Sequence, residues 1–254
     1  MPFDFTNTPP SPSYAIHKEQ TTPSDSRFTV YPIASLNQLI SEEENIQDKA
    51  CPNRYRVRYI LDAQGHLWFA KTGRANKHTP WHYQMTEKAA TQAFCVAAGY
   101  IEFDKDLKAI THVTLENYDY SFQPQDIQWV LAVLLNNKDK LPVQLLDPIS
   151  IERSYSYNEA ARILIDVPHS DIQAWLDTTH PLTKSFASTK QPTETRPITI
   201  HQESLRKRIR EVGELPLNTT YRGPTASFLF YPPTDELLEA PAASPPLRLP
   251  DSLA

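Results

Sequence analysis

In Arg54-Tyr55-Arg56-Val57-Arg58-Tyr59-Ile60-Leu61 apolar residues fall at 55, 57, 59 and 61, alternating with arginines at 54, 56 and 58. The alternation predicts a strand with Tyr55, Val57, Tyr59 and Leu61 on one face and Arg54, Arg56 and Arg58 on the other. Asp62-Ala63-Gln64-Gly65 supplies turn chemistry, with glycine free to take positive φ, and His66 to Ala70 runs back as the partner strand. A second hairpin follows, from Ala93 to Phe103, through the turn Asp104-Lys105-Asp106, and back from Leu107 to Leu115. In the loop between the hairpins a short helix is expected to open at Thr79, with Pro80 at its first position.

Beyond Pro124 the period changes to that of a helix. Ile127, Val130, Leu131, Leu134 and Leu135 fall at i, i+3, i+4, i+7 and i+8, and Trp129, Ala132 and Val133 widen the apolar surface. This helix is expected to be buried on more than one side and to centre the core. Leu141 to Ile151 reads as a fifth strand, in which Pro142 and Pro148 favour an edge position or a bulge. The fold class that results is α+β: an antiparallel sheet of about five strands, built from two hairpins and packed under one main helix. Ala160 to Val167 is a further plausible strand, and Ser170-Asp171-Ile172-Gln173 has the capping-box pattern of a helix with Ile172, Trp175 and Leu176 on one face.

Composition adds boundaries. The chain has 254 residues and 23 prolines. Residues 1–25 hold Pro2, Pro9, Pro10, Pro12 and Pro23, and residues 216–254 hold eight more, so both ends are expected to be disordered arms. The core domain is then 26–182, with a polar linker over 183–198. Thr199-Ile200-His201-Gln202 opens a basic amphipathic helix over 199–215, striped by Leu205, Ile209 and Val212.

Only five glycines are present and they are scattered, which removes glycine-rich nucleotide and phosphate loops; no cofactor is expected. Neither a signal peptide nor an apolar run of membrane-spanning length is apparent, so the expectation is a chain that is cytoplasmic in the producing cell. Two cysteines provide no disulfide framework. A net charge of −5 argues against general nucleic-acid affinity.

Several residues carry candidate chemistry. His78 and His82 have the four-residue spacing of a zinc pair, although Pro80 interrupts the helix that would align them, so no metal is expected. Cys51 and Cys95 are candidate nucleophiles if His66, His82 or His112 serves as the base. For Cys95 the simpler reading is a packed core thiol. Arg54, Arg56 and Arg58 form a cation row suited to an acidic partner, and more commonly such a row is a solvated face. Arg206, Lys207, Arg208 and Arg210 form a second basic cluster. Tyr118 and Tyr120, before Phe122, form an aromatic cluster that fits either a partner contact or packing under the helix.

The segments Gly65-His66-Leu67-Trp68-Phe69-Ala70-Lys71, Pro80-Trp81-His82-Tyr83-Gln84-Met85-Thr86, Cys95-Val96-Ala97-Ala98-Gly99-Tyr100-Ile101 and Phe122 with Trp129-Val130-Leu131-Ala132-Val133-Leu134 lie within residues 54–140. Together they resemble a module of candidate effectors secreted through the Dot/Icm type IV route by Legionella and Coxiella type bacteria. The acidic Asp235-Glu236-Leu237-Leu238-Glu239 and the terminal Leu253 resemble the tails of such effectors. The resemblance implies export into a host cell without a signal peptide and, as partner, a host or bacterial protein. The expected function is therefore an intracellular protein-interaction module, and the alternative is a small enzyme using a His or Cys from the region between the hairpins.

Overall fold

The computed structural model describes residues 2–15, 26–41, 46–48, 53–72, 79–86, 93–117, 120–154 and 163–200, all within a compact unit spanning residues 1–215. Its strands are β1 (Ser13–Tyr14), β2 (Ser26–Pro32), β3 (Tyr55–Leu61), β4 (Leu67–Ala70), β5 (Phe94–Cys95), β6 (Ala97–Phe103), β7 (Ala109–Thr114), β8 (Gln144–Ser154), β9 (Ile163–Val167) and β10 (Arg196–Ile200). Its α-helices are α1 (Leu36–Ile40), α2 (Ile127–Asn136), α3 (His169–Thr178) and α4 (Pro181–Ala187). The class is mixed α and β, with one large, mostly antiparallel sheet and few helices. Among the described residues that sheet has eight strands in the order β10-β2-β4-β3-β6-β7-β8-β9, and β1 with β5 makes a separate two-stranded ladder.

Eight strands replace the expected five, and the arrangement extends well beyond two hairpins. β3 and β6 pair along their whole length, from Tyr55 opposite Phe103 to Leu61 opposite Ala97, and further strands flank them on both sides. The β3–β4 turn is closed by Asp62, whose Oδ1 accepts the N–H groups of Gln64 and His66 while its Oδ2 accepts the Trp68 indole N–H. Asp104 does the same for the β6–β7 turn, accepting from the N–H groups of Lys108 and Ala109.

Among the described residues the step from β7 to β8 is the sheet's one parallel pairing, and α2 lies in the crossover between them. β8 is paired on both sides, not at an edge. Its Pro148 is accommodated by an irregularity: Leu145 pairs with Ile110 and Ser150 with His112, leaving Leu146, Asp147, Pro148 and Ile149 opposite Thr111 alone.

The apolar face of the sheet carries Val57, Tyr59, Leu61, Ile101 and Val113, and α2 and α3 cover it. Every residue of α2 from Ile127 to Leu135 is buried, with Trp129 2% exposed against Trp175 and Phe186. A second, smaller cluster joins Phe28, Ile60, Trp68, Met85, Cys95 and Ile198.

Four further expectations are corrected. Ser170 does not cap α3: Pro168 holds the cap position, and the Asp147 carboxylate accepts the His169 N–H. The short helix expected at Thr79 is a 3-10 turn over His82–Thr86. The segment 183–198 is no linker, because α4 runs to Ala187, buried Gln191 bonds the backbone at Leu67 and Gly65, and β10 begins at Arg196. Thr199 and Ile200 continue β10, opposite Arg27 and Ser26, so no helix opens there.

The N-terminal arm departs furthest from expectation. Phe3 and Phe5 pack on the main core, and Ser13 and Tyr14 pair with Cys95 and Phe94. Disorder is overridden here because two aromatics, Phe3 and Phe5, bury apolar area that the neighbouring prolines and polar residues cannot. Residues 16–25, the remainder of the basic helix and the tail 216–254 lie outside the described residues.

Candidate functional site

Beside the smaller apolar cluster around Ile60 and Trp68, the second face of the sheet carries charged and polar residues that cross-strand register lines up. Arg56 stands opposite Glu102, Glu102 opposite His112, His112 opposite Ser150, and Ser150 opposite Asp166, a continuous row across β3, β6, β7, β8 and β9. A parallel row runs from Arg58 to Tyr100 and on through Thr114 and Glu152 to Leu164.

Arg54 and Arg56 are only 4% and 7% exposed, so burial corrects the expectation of a solvated face. Arg54 is ion-paired with Glu102 and lies 3.6 Å from Glu152. Arg56 reaches Asp48 at 2.6 Å and Glu116 at 2.7 Å, and its guanidinium lies 4.0 Å from the centre of the Tyr100 ring. Arg58 bonds the Tyr100 hydroxyl at 3.2 Å and the Pro80 carbonyl. Guanidinium groups taken from water require such partners, and on β6 the residues opposite Arg56 and Arg58 are Glu102 and Tyr100.

Burial also reshapes two titrations. Desolvation raises Glu116 from an ordinary 4.5 to about 7, although Arg56 pulls the other way. Desolvation, reinforced by Arg58, lowers His82 to about 3. His82 is therefore a neutral ring at physiological pH, with Nε2 3.0 Å from the Gly99 carbonyl.

The structure thus brings Arg54, Arg56, Arg58, His82 and His112 onto or against one face. His66 stays in the β3–β4 turn, 3.2 Å from Asp62, and Cys95 is buried in the smaller cluster. Tyr120 is buried and stacked on Phe122, so its ring is not a surface contact. Cys51, His78, Tyr118, Arg206, Lys207, Arg208 and Arg210 lie outside the described residues. Among the described residues no three His, Cys, Asp or Glu side chains converge as metal ligands, and no helix is long and apolar enough to cross a membrane.

Sequence reasoning missed Asp48, Glu102, Glu116 and Glu152, the carboxylates that pair with Arg54 and Arg56. The alternation of Tyr100 and Glu102 with Ile101 and Phe103 was the available signal, since it places Glu102 on the arginine face once β3 and β6 pair.

The sheet's two outer strands differ. β10 carries Pro197, which has no N–H to offer a further strand. β9 carries no such block, and its Leu164 is 42% exposed beside the exposed Asp166. No family model, curated protein or solved structure matches this chain.

Proposed function

We propose that this chain is a protein-interaction module that engages its partner through the outer edge of β9. The observation that carries the reading is that, among the described residues, β9 ends the eight-stranded order with a large apolar side chain, Leu164, turned to solvent. A sheet edge offers alternating N–H and C=O groups, and an extended partner segment satisfies them as an added strand while Leu164 gives it an apolar contact. Arg54 and Arg56 do not compete for this role, since they are buried and ion-paired with internal carboxylates, and Arg58 is bonded to Tyr100 and the Pro80 carbonyl. The resemblance of residues 54–140 to secreted effector modules points to a host-cell protein as that partner.

A photo-crosslinking residue placed at Leu164 should capture a discrete protein from a eukaryotic lysate, whereas the same residue at exposed Gln173 on α3 should not. Once that protein is identified, Leu164→Lys should weaken its binding at least tenfold. Equal capture from both positions would sink the reading.

The row Glu102, His112, Ser150 favours a second reading, a small enzyme in which His112 acts as base. The Ser150 hydroxyl bonds Asp166 rather than His112, which is why this reading ranks second. A fluorophosphonate probe that labels wild-type protein but not Ser150→Ala would move it to first place, and no labelling would remove it.

A further inference from the structure

Gln128 is the polar exception in a run of nine buried residues on α2. A buried primary amide needs partners for both its carbonyl and its NH2 group. One residue of the N-terminal arm supplies them. The Thr6 N–H donates to Gln128 Oε1 at 2.9 Å, and Gln128 Nε2 donates to the Thr6 hydroxyl at 3.0 Å and to the Thr6 carbonyl at 3.3 Å. From α3, Trp175 Nε1 donates to that same carbonyl at 3.0 Å. Two scaffold side chains therefore read the backbone N–H and C=O of Thr6, as a neighbouring strand would in a ladder.

The residues before Thr6 are read by their side chains. Phe5 stacks on Trp175, with ring centres 5.1 Å apart and planes 20° apart, and Phe3 packs edge-on against Phe5 at 4.7 Å. Asp4 between them is exposed. The arm is thus held by two aromatics at alternate positions and by the backbone and hydroxyl of the residue that follows. Residues 7–12, which lead on to β1, contain three prolines and form neither helix nor strand.

We propose that the groove between α2 and α3 is a peptide-recognition site for an extended protein segment of the pattern aromatic, any residue, aromatic, Thr or Ser, and that the chain's own residues 3–6 occupy it in cis. The chemistry of the trans ligand is set by what the groove reads: a second aromatic to stack on Trp175, then a backbone N–H and C=O with a hydroxyl for Gln128. Loss of the arm takes away the protein partners of the Gln128 amide, so the vacated groove favours a segment that restores those bonds and covers the amide again. The groove lies on the helical layer, so this proposal and the β9 reading stand or fall separately.

The test uses the full chain with Phe5→Asp, whose own arm no longer seats, and a fluorescein-labelled octapeptide of residues 1–8. Anisotropy should show saturable binding to this variant and at least tenfold weaker binding to wild type, because a tethered arm competes at an effective concentration on the order of millimolar. Adding Gln128→Leu to Phe5→Asp should abolish binding. A Phe5→Asp chain that keeps the wild-type circular dichroism yet binds no peptide overturns the proposal. Should Phe5→Asp not fold, wild type decides: excess unlabelled peptide should speed hydrogen exchange at the Thr6 amide at least tenfold, and unchanged exchange overturns the site. Concentration-dependent dimers abolished by Phe5→Asp would seat a second copy in the groove and overturn the assignment to a separate partner.

Discussion

The hydroxyl of Tyr59 on β3 donates to the carbonyl of Thr114 on β7 at 2.7 Å, reaching across Gly99 on the strand between them. The reach is possible because Gly99, opposite Tyr59 in register, has no side chain under the ring. A Cβ at Gly99 would overlap the Thr114 carbonyl oxygen and lie 2.8 Å from its carbon. Gly99→Ala must therefore push β6 and β7 apart, at a cost of about 3 kcal/mol or more. Tyr59→Phe, which only removes the hydroxyl, should cost about 1–2 kcal/mol. Urea denaturation of the two variants checks the order, and a Gly99→Ala chain as stable as wild type would contradict the packing.

Trp129 sits in the centre of α2 between Trp175 and Phe186. Its replacement by alanine opens a large cavity where three elements meet, and a loss of about 3–5 kcal/mol is expected. A loss below about 1 kcal/mol in chemical denaturation would place α2 at the periphery.

Arg54 is enclosed by Glu102 and Glu152. Arg54→Ala leaves two buried carboxylates without their cation, and should destabilise by about 3–5 kcal/mol. Changing Glu102 and Glu152 to Gln in the same chain removes the stranded charges, and should recover most of that loss. If the triple variant is no more stable than Arg54→Ala, the arginine matters for its packing rather than its charge.

What the sequence revealed, and what it hid, follows from the range of the forces involved. The turns at Asp62 and Asp104 and the burial of α2 are encoded within a few residues, by turn chemistry and by a 3.6-residue period, and were readable. β2 and β10 pair across more than 160 residues, and their short apolar runs carry no local mark of a partner. Arg56 and Arg58 share one face of β3, as the alternation predicts. The burial of Arg54 and Arg56 was not readable, because a charged face becomes an interior one only when Glu102 and Glu152, on other strands, arrive opposite it. In residues 3–14 the proline content points to disorder, while the order there is set by two signals: Phe3 and Phe5 alternating about Asp4, and the lone Gln128 inside an apolar helix.

The last prediction concerns the pH dependence of stability, where two buried groups act in opposite directions. Glu116, 2.7 Å from Arg56, titrates at about 7 in the folded chain and at an ordinary 4.5 when unfolded, with burial as the main cause. The folded state holds a proton that the unfolded chain has released, so this contribution is fully present below pH 4.5 and is lost as pH rises through 7. His82, lowered from 6.5 to about 3, has the opposite sign: its contribution is present above pH 6.5 and is lost as pH falls toward 3. Between pH 6 and 8 the two partly cancel in wild type, and the total slope therefore says little. The difference between Glu116→Gln and wild type isolates the glutamate, because the amide cannot titrate and His82 is common to both chains. Relative to wild type, Glu116→Gln should gain about 1 kcal/mol in stability from pH 6 to pH 8. Urea titrations at the two pH values measure this directly, and a difference independent of pH would mean that Glu116 is ionised throughout and that Arg56 outweighs its burial.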